Sequence, residues 1–258
     1  MVCTGVLTGL LLFSLSSSVV SADRVDLETL HEIIQVFESR YKPSERTDSG
    51  DGAQYAVAIK VPAEQCMENF DEKFLSYEDT DTVRNDLNDE TKRLYKGKKM
   101  VAARPKGTGS TAIHSERALL ICEDSSQAVT PVRDLLNKGD ENDCVVFYTY
   151  NSPCLDYCLN QKNDNDQQNR ERAQKKRGKT NVTPAVKKCI LDSLSILTDH
   201  PGPKAFVFSQ VYRKDRKNTK LASALKEVAE KVPLYRCNTN SCIECLDNNN
   251  NFNNQCLS

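Results

Sequence analysis

The chain has 258 residues, with 35 Lys and Arg against 36 Asp and Glu, a formal net charge of -1 and only three histidines. That length suits about one domain, and the near-zero charge conceals a polarised surface: residues 64–90 carry ten acids against Lys73 and Arg84, and residues 91–106 carry seven bases and no acid. Beyond the first residues no stretch is long and apolar enough for a membrane helix, which excludes a protein spanning the bilayer by helices.

Residues 5–15 form an apolar run too short to span a bilayer, followed by small residues ending in Val20, Ser21 and Ala22. The pattern predicts a secretory signal peptide over residues 1–22, cleaved before Asp23, although no Lys or Arg precedes the apolar run. The mature product is expected to be soluble and exported. Residues 23–53 then hold an amphipathic helix, with Leu30, Ile33, Ile34 and Phe37 at helical spacing, and a polar loop over 42–52.

Residues 54–61 predict a strand, and residues 99–104 a shorter one after a long acidic connection, the two pairing as a hairpin with an oversized loop. Gly107 and Gly109 break the chain before a helix starting near His114, and Thr130-Pro131 starts another, with proline at a tolerated first position. Residues 144–150, rich in β-branched and aromatic residues without polar alternation, suit a strand covered on both faces. Residues 161–180 are polar and basic and read as a surface insertion, after which Thr183-Pro184 restarts a helix through Ile190, Leu194 and Leu197. A strand over 204–212, a helix over 219–231 carrying Leu221, Leu225 and Val228, and a strand over 232–237 imply a parallel crossover. A single domain over residues 54–237 follows, with a Cys- and Asn-rich tail over 238–258 that looks stapled rather than packed.

Ten of the eleven cysteines lie in the mature chain, where export makes pairing the default. Eight of them, Cys66, Cys122, Cys144, Cys189, Cys237, Cys242, Cys245 and Cys256, make an even set, although Cys122 and Cys144 read equally well as buried free thiols. The last four could form a four-sulfur zinc site, but bridges are the better reading in an oxidising compartment. Asn181-Val182-Thr183 is a glycosylation sequon. His31 and His200 lack ligand partners nearby in sequence and read as surface or packing residues.

The remaining cysteines stand in a different context. In "NSPCLDYCL" Ser152 is a natural helix cap, Pro153 suits the first helical position, and Cys154 and Cys158 fall four apart on one helix face, where the macrodipole favours thiolate. Both sulfurs can then reach one point beyond the helix start. His114, in "AIHSERALL", would make a His/Cys/Cys set with an open fourth position, the arrangement of a catalytic zinc. Glu116 would face that position, provided the first turn lies end-on to the site, because residues two apart do not share a helix face. The alternative is that Cys154 and Cys158 enter disulfides.

His-x-Glu followed by Pro-Cys and a further Cys resembles the signature of the zinc-dependent nucleobase deaminases, in which the Glu shuttles protons and is not a ligand. The stretches "CVVFYTYNSPC" and "FSQVYRKDRK", with the helix and strand after them, resemble the corresponding order in AID/APOBEC-like deaminases. With the signal peptide, the chain is similar to the secreted novel AID/APOBEC-like branch over roughly residues 54–237. The resemblance implies a cytidine deaminase-like α/β three-layer sandwich, a five-stranded mixed sheet with helices on both faces. It implies zinc held by His114, Cys154 and Cys158, attack of hydroxide on C4 of cytosine, and proton transfer by Glu116. It further implies substrate contacts from Ser115, Tyr150, Ser152, Tyr212, Arg213 and Arg216, the last three in a segment that in the family often meets the neighbouring nucleotide. The family commonly places two residues between its cysteines where this chain has Leu155, Asp156 and Tyr157, and a tryptophan where this chain has Asn151.

The expected function is therefore a secreted zinc-dependent cytosine deaminase acting on single-stranded DNA or RNA, since duplex substrates require the base to be extruded. Basic residues 92–106 could track phosphates, although such runs are more often solvated loops. One alternative is a deaminase of free cytidine, which needs no basic track. Another is a catalytically silent, disulfide-stapled binding protein that keeps the fold.

Overall fold

A computed structural model of the chain describes residues 24–43, 54–67, 70–107, 112–122, 129–179 and 187–258. The predicted signal peptide, most of the polar loop over 42–52, Gly109 and the sequon at Asn181 lie outside the described residues. The first helix, α1 (Leu27–Arg40), begins where the Asp26 carboxylate accepts the backbone N–H of Glu28 and Thr29, each at 3.0 Å, and buries Leu30, Ile33, Ile34 and Phe37 as its spacing predicts.

Among the described residues seven strands form one sheet: β1 (Ala56–Val61), β2 (Leu94–Lys96), β3 (Met100–Ala103), β4 (Cys144–Asn151), β5 (Lys204–Gln210), β6 (Leu234–Cys237) and β7 (Cys242–Glu244). Their order is β2-β3-β1-β4-β5-β6-β7, with β4, β5 and β6 mutually parallel and the other neighbours antiparallel. This is the expected α/β sandwich with a mixed sheet, but the sheet has seven strands rather than five. The two additions are three residues each, too short to show alternation in sequence. β2 exists because the chain turns tightly at Gly97, whose N–H meets the Met100 carbonyl at 2.9 Å, and lies back on β3. β7 exists because the Cys237–Cys242 disulfide folds the tail back onto β6. The tail is thus both stapled and packed, with Cys245 and Cys256 bridged and fully buried.

Helices cover both faces. α3 (Ser115–Leu120), α4 (Pro131–Leu136), α6 (Ser195–Thr198) and α7 (Leu221–Ala229) share a core with Ala58, Phe147 and Phe206, while α1 and α2 (Thr80–Asn88) share the opposite core with Val57, Tyr148 and Val207. α2 lies within the connection that the sequence suggested as a plain acidic loop. The polar insertion holds a helix, α5 (Gln161–Lys176), capped by the Asn160 side chain on Asn163 N–H at 2.9 Å, with only Asp164 buried. A polar helix shows no apolar stripe, so periodicity could not find it. Of the helix expected from Thr183 through Leu197, residues 183–186 lie outside the described residues, and the rest is irregular at 187–190, a 3-10 turn at Leu191–Leu194 and the short α6.

A third disulfide joins Cys66 to Cys144, across 78 residues, at the end of the β1–β4 pairing where Val61 lies opposite Cys144. Cys144 is therefore not a free thiol. Cys122 is unpaired but exposed, and Cys189 is unpaired and buried, its thiol pushed up to about 11 by burial. Among the described residues no helix is long and apolar enough to cross a membrane.

Closing so long a loop restricts the unfolded chain, so replacing both Cys66 and Cys144 by alanine should lower the unfolding free energy by about 2–4 kcal/mol in urea titration. Phe37, wholly buried among Tyr41, Tyr55 and Tyr148, should cost about 3–5 kcal/mol when changed to alanine. A loss under about 1 kcal/mol would mean that α1 is dispensable to the domain.

Candidate active site

The antiparallel bridge between Lys106 and Ile113, with backbone bonds of 2.9 and 2.8 Å, closes a loop in which Gly107 takes a left-handed φ of 77°. His114 follows as the cap residue of α3, in extended backbone, with no capping bond from its own side chain. Glu116 lies within the first turn. A residue at the cap and one in the first turn both border the helix end, so a pair two apart converges without sharing a helix face.

The other half of the site leaves the carboxyl end of β4. The expected helix over residues 152–158 is absent. The Ser152 hydroxyl accepts the Tyr212 N–H at 3.0 Å instead of capping, and the chain passes through a turn closed by Leu159 N–H on the Cys154 carbonyl at 3.0 Å. The turn still brings the sulfurs to one point. His114 Nδ1 lies 3.5 Å from Cys154 Sγ and 3.3 Å from Cys158 Sγ, and the three donors lie within 4.8 Å of one another. Bonds of about 2.3 Å to sulfur and 2.0–2.1 Å to nitrogen in a tetrahedral zinc space those donors by about 3.6 Å, so the set fits the ion. Both cysteines stay outside the disulfides. No other group of three candidate ligands occurs among the described residues.

Hydrogen bonding to Cys158, and next to His114, lowers the Cys154 thiol to about 4 against the opposing effect of burial. No helix macrodipole contributes, because no helix starts there. Cys158 moves the other way, raised by its bond to Cys154 and by burial, and His114 is raised by its bond to Cys154. One sulfur of the pair thus ionises readily beside an imidazole, a donor chemistry suited to a soft or borderline cation.

Glu116 is 2% exposed, and burial raises its carboxyl above the usual range although His114 and Thr149 oppose the shift. Its Oε1 accepts from Thr149 Oγ1 at 2.8 Å and from Gln54 Nε2 at 3.0 Å, and its Oε2 from Ser115 Oγ at 3.1 Å. Gln54 Oε1 in turn accepts the N–H and side-chain amide of Asn151, and Asn151 Oδ1 accepts from Gln210. Sequence reasoning missed Gln54 and Thr149. Thr149, the one hydroxyl on the inner face of an otherwise apolar strand, is the signal that could have found the second.

His114, Glu116, Gln54, Asn151, Ser152, Cys154 and Tyr212 line one open cleft of about 170 Å³. Ser115 lies behind Glu116. Arg213 and Arg216 are exposed on the segment leaving Tyr212 and do not line the cleft. Tyr150 is not brought to it. Strand alternation turns Tyr150 to the opposite face, where it stacks on Tyr55 at 5.5 Å under the Lys42 ammonium. His200 is buried against the Asp143 carbonyl and His31 meets Gln35, both away from the site, as expected of packing residues.

No curated protein and no solved structure matches the chain. A family model does, over residues 28–258, and its family is described as Secreted Novel AID/APOBEC-like Deaminase 1. The match reaches past the 54–237 stretch that carries the motifs and takes in α1 and the disulfide-bridged tail, which the sheet and core had already joined to the domain. With His-x-Glu and Pro-Cys converging on one cleft in an α/β sandwich, the chain belongs to this family of AID/APOBEC-like deaminases.

Proposed function

We propose that the protein is a secreted zinc-dependent deaminase that converts cytosine to uracil in single-stranded nucleic acid. The observation that carries this reading is the convergence of a His/Cys/Cys donor set with a buried carboxyl that is not one of the three donors, His114, Cys154 and Glu116 all lining one cleft. His114, Cys154 and Cys158 would hold the zinc, which when bound supplies a water acidified towards neutral pH.

Glu116 passes one proton of the attacking water to the ring nitrogen, which keeps it, and then passes the second, from the new C4 hydroxyl, to the departing amine, so that C4 is left with a carbonyl oxygen and ammonia is released. Burial suits the carboxyl to both directions of transfer, because a raised pKa brings its protonated form closer to neutral pH. Thr149, Gln54 and Ser115 fix its orientation, which removes the reorganisation a mobile carboxylate would need. Tyr212 at the cleft offers a stacking face, and the exposed Arg213, Lys214, Arg216 and Lys217 beyond it suit contact with a phosphate backbone. Export is supported by the family's description and by three disulfides.

Changing Glu116 to glutamine should lower uracil formation on cytosine-containing single strands by about 10²–10⁴-fold, with zinc content by atomic absorption unchanged. Equal activity in the two proteins would remove the proposed proton shuttle. Binding of a single-stranded oligonucleotide should weaken with salt, and Arg216→Ala should reduce the log-log slope by about 0.7, the value of one lost phosphate contact. Activity on free cytidine with oligonucleotide binding indifferent to salt would move the substrate to the small nucleoside.

A further inference from the structure

The segment 212–217 reads Tyr-Arg-Lys-Asp-Arg-Lys, and its single acid is the residue turned inward. Asp215 is 5% exposed, whereas Arg213, Lys214, Arg216 and Lys217 are exposed. A carboxylate is buried at a cost unless a donor meets it. The donor here is the backbone N–H of Leu155, 3.0 Å from Asp215 Oδ2, in the residue that directly follows Cys154. The segment is itself held in a turn, with Asp215 N–H on the Tyr212 carbonyl and Asn218 N–H on the Asp215 carbonyl, both at 2.9 Å. A second tie runs from Tyr212 N–H to Ser152 Oγ at 3.0 Å. The basic segment therefore grips the loop after β4 on both sides of Pro153 and Cys154.

We propose that Asp215 is a positioning residue, which from within the basic segment fixes the Cys154 turn in metal-holding shape and so links metal retention to anion binding. This rests on the metal-site reading above. Residues 154–159 form a turn rather than a helix, so the Leu155 N–H has its partner in Asp215 and not in a helical repeat. Removing the carboxyl leaves that amide without its acceptor and frees the first sulfur ligand to move. The same loss leaves the basic segment held to the site only through Tyr212 and Ser152. Any coupling between the two sites is reciprocal, so zinc occupancy should also tighten oligonucleotide binding.

The test compares Asp215→Ala with Asp215→Asn in the mature chain. The two variants share one net charge, but only asparagine keeps an oxygen that can accept from Leu155. Zinc affinity by chelator competition should stay within about twofold of wild type for Asp215→Asn and fall about 10-fold or more for Asp215→Ala, as for loss of a group supporting a metal ligand. A labelled single-stranded oligonucleotide should bind Asp215→Ala several-fold more weakly than Asp215→Asn at the same salt. Should the alanine variant not fold, Asp215→Ser, whose hydroxyl is too short to reach Leu155, takes its place. Equal zinc affinities in the alanine and asparagine variants would overturn the proposal. A wild-type chain that takes up no zinc would instead overturn the metal reading, and this proposal with it.

Discussion

The parallel pairing of β4 with β5 brings the carboxyl ends of both strands to one edge of the sheet, with Asn151 opposite Gln210. Much of what the cleft uses depends on that edge, and α3 adds His114 and Glu116 to it. From β4 come Thr149, Asn151, Ser152 and the two cysteines, and from beyond β5 come Tyr212 and the basic segment. In open α/β sheets ligands meet the protein outside the carboxyl ends of the strands, where loops diverge from a rigid scaffold. Here β4 is buried along most of its length between two cores, so the residues it delivers have little freedom to drift. Antiparallel β1 runs the other way on the far side of β4 and brings its amino end, with Gln54, to the same edge.

A buried carboxyl is tolerated at this edge because its oxygens are met by neutral donors. Thr149, Gln54 and Ser115 satisfy Glu116 without supplying a full opposite charge, and such an environment leaves a carboxyl ready to gain or lose a proton. A salt bridge in the same place would hold it ionised. The amide series from Gln54 through Asn151 to Gln210 continues this neutral hydrogen bonding from the cleft to the end of β5. At Gln54 and Asn151 the cleft wall thus offers hydrogen-bonding groups.

Cysteine chemistry divides by location. Six cysteines form disulfides, two at the amino end of the central strand β4, opposite the cleft, and four in β6, β7 and the tail, while Cys154 and Cys158 face His114 and stay unbridged. Keeping the two populations apart matters in an oxidising compartment, because a bridge between Cys154 and Cys158 would remove the candidate donor set. The tail contributes more than a staple, since its first disulfide folds β7 onto the sheet and its second buries Cys245 and Cys256 against the core beside α7.

The sequence by itself determined the chemistry of the site and the order of its main elements. A His/Cys/Cys set with a nearby Glu is a statement about residue types in short local motifs, and α1, β1, β4, β5 and α7 each carry an apolar pattern that local geometry dictates. The tertiary structure decided what local pattern does not encode. It set the face on which each residue of β4 lies, sending Thr149 to the cleft and Tyr150 away from it, because only the packed sheet distinguishes its two sides. It chose the disulfide partners, turned residues 152–158 from an expected helix into a turn by giving the Ser152 hydroxyl to Tyr212, and buried Asp215 against Leu155. Strands β2 and β7 and the polar helix α5 belong to the same class: too short or too hydrophilic to show a period, they form because a turn, a bridge or a cap places their backbone beside a partner.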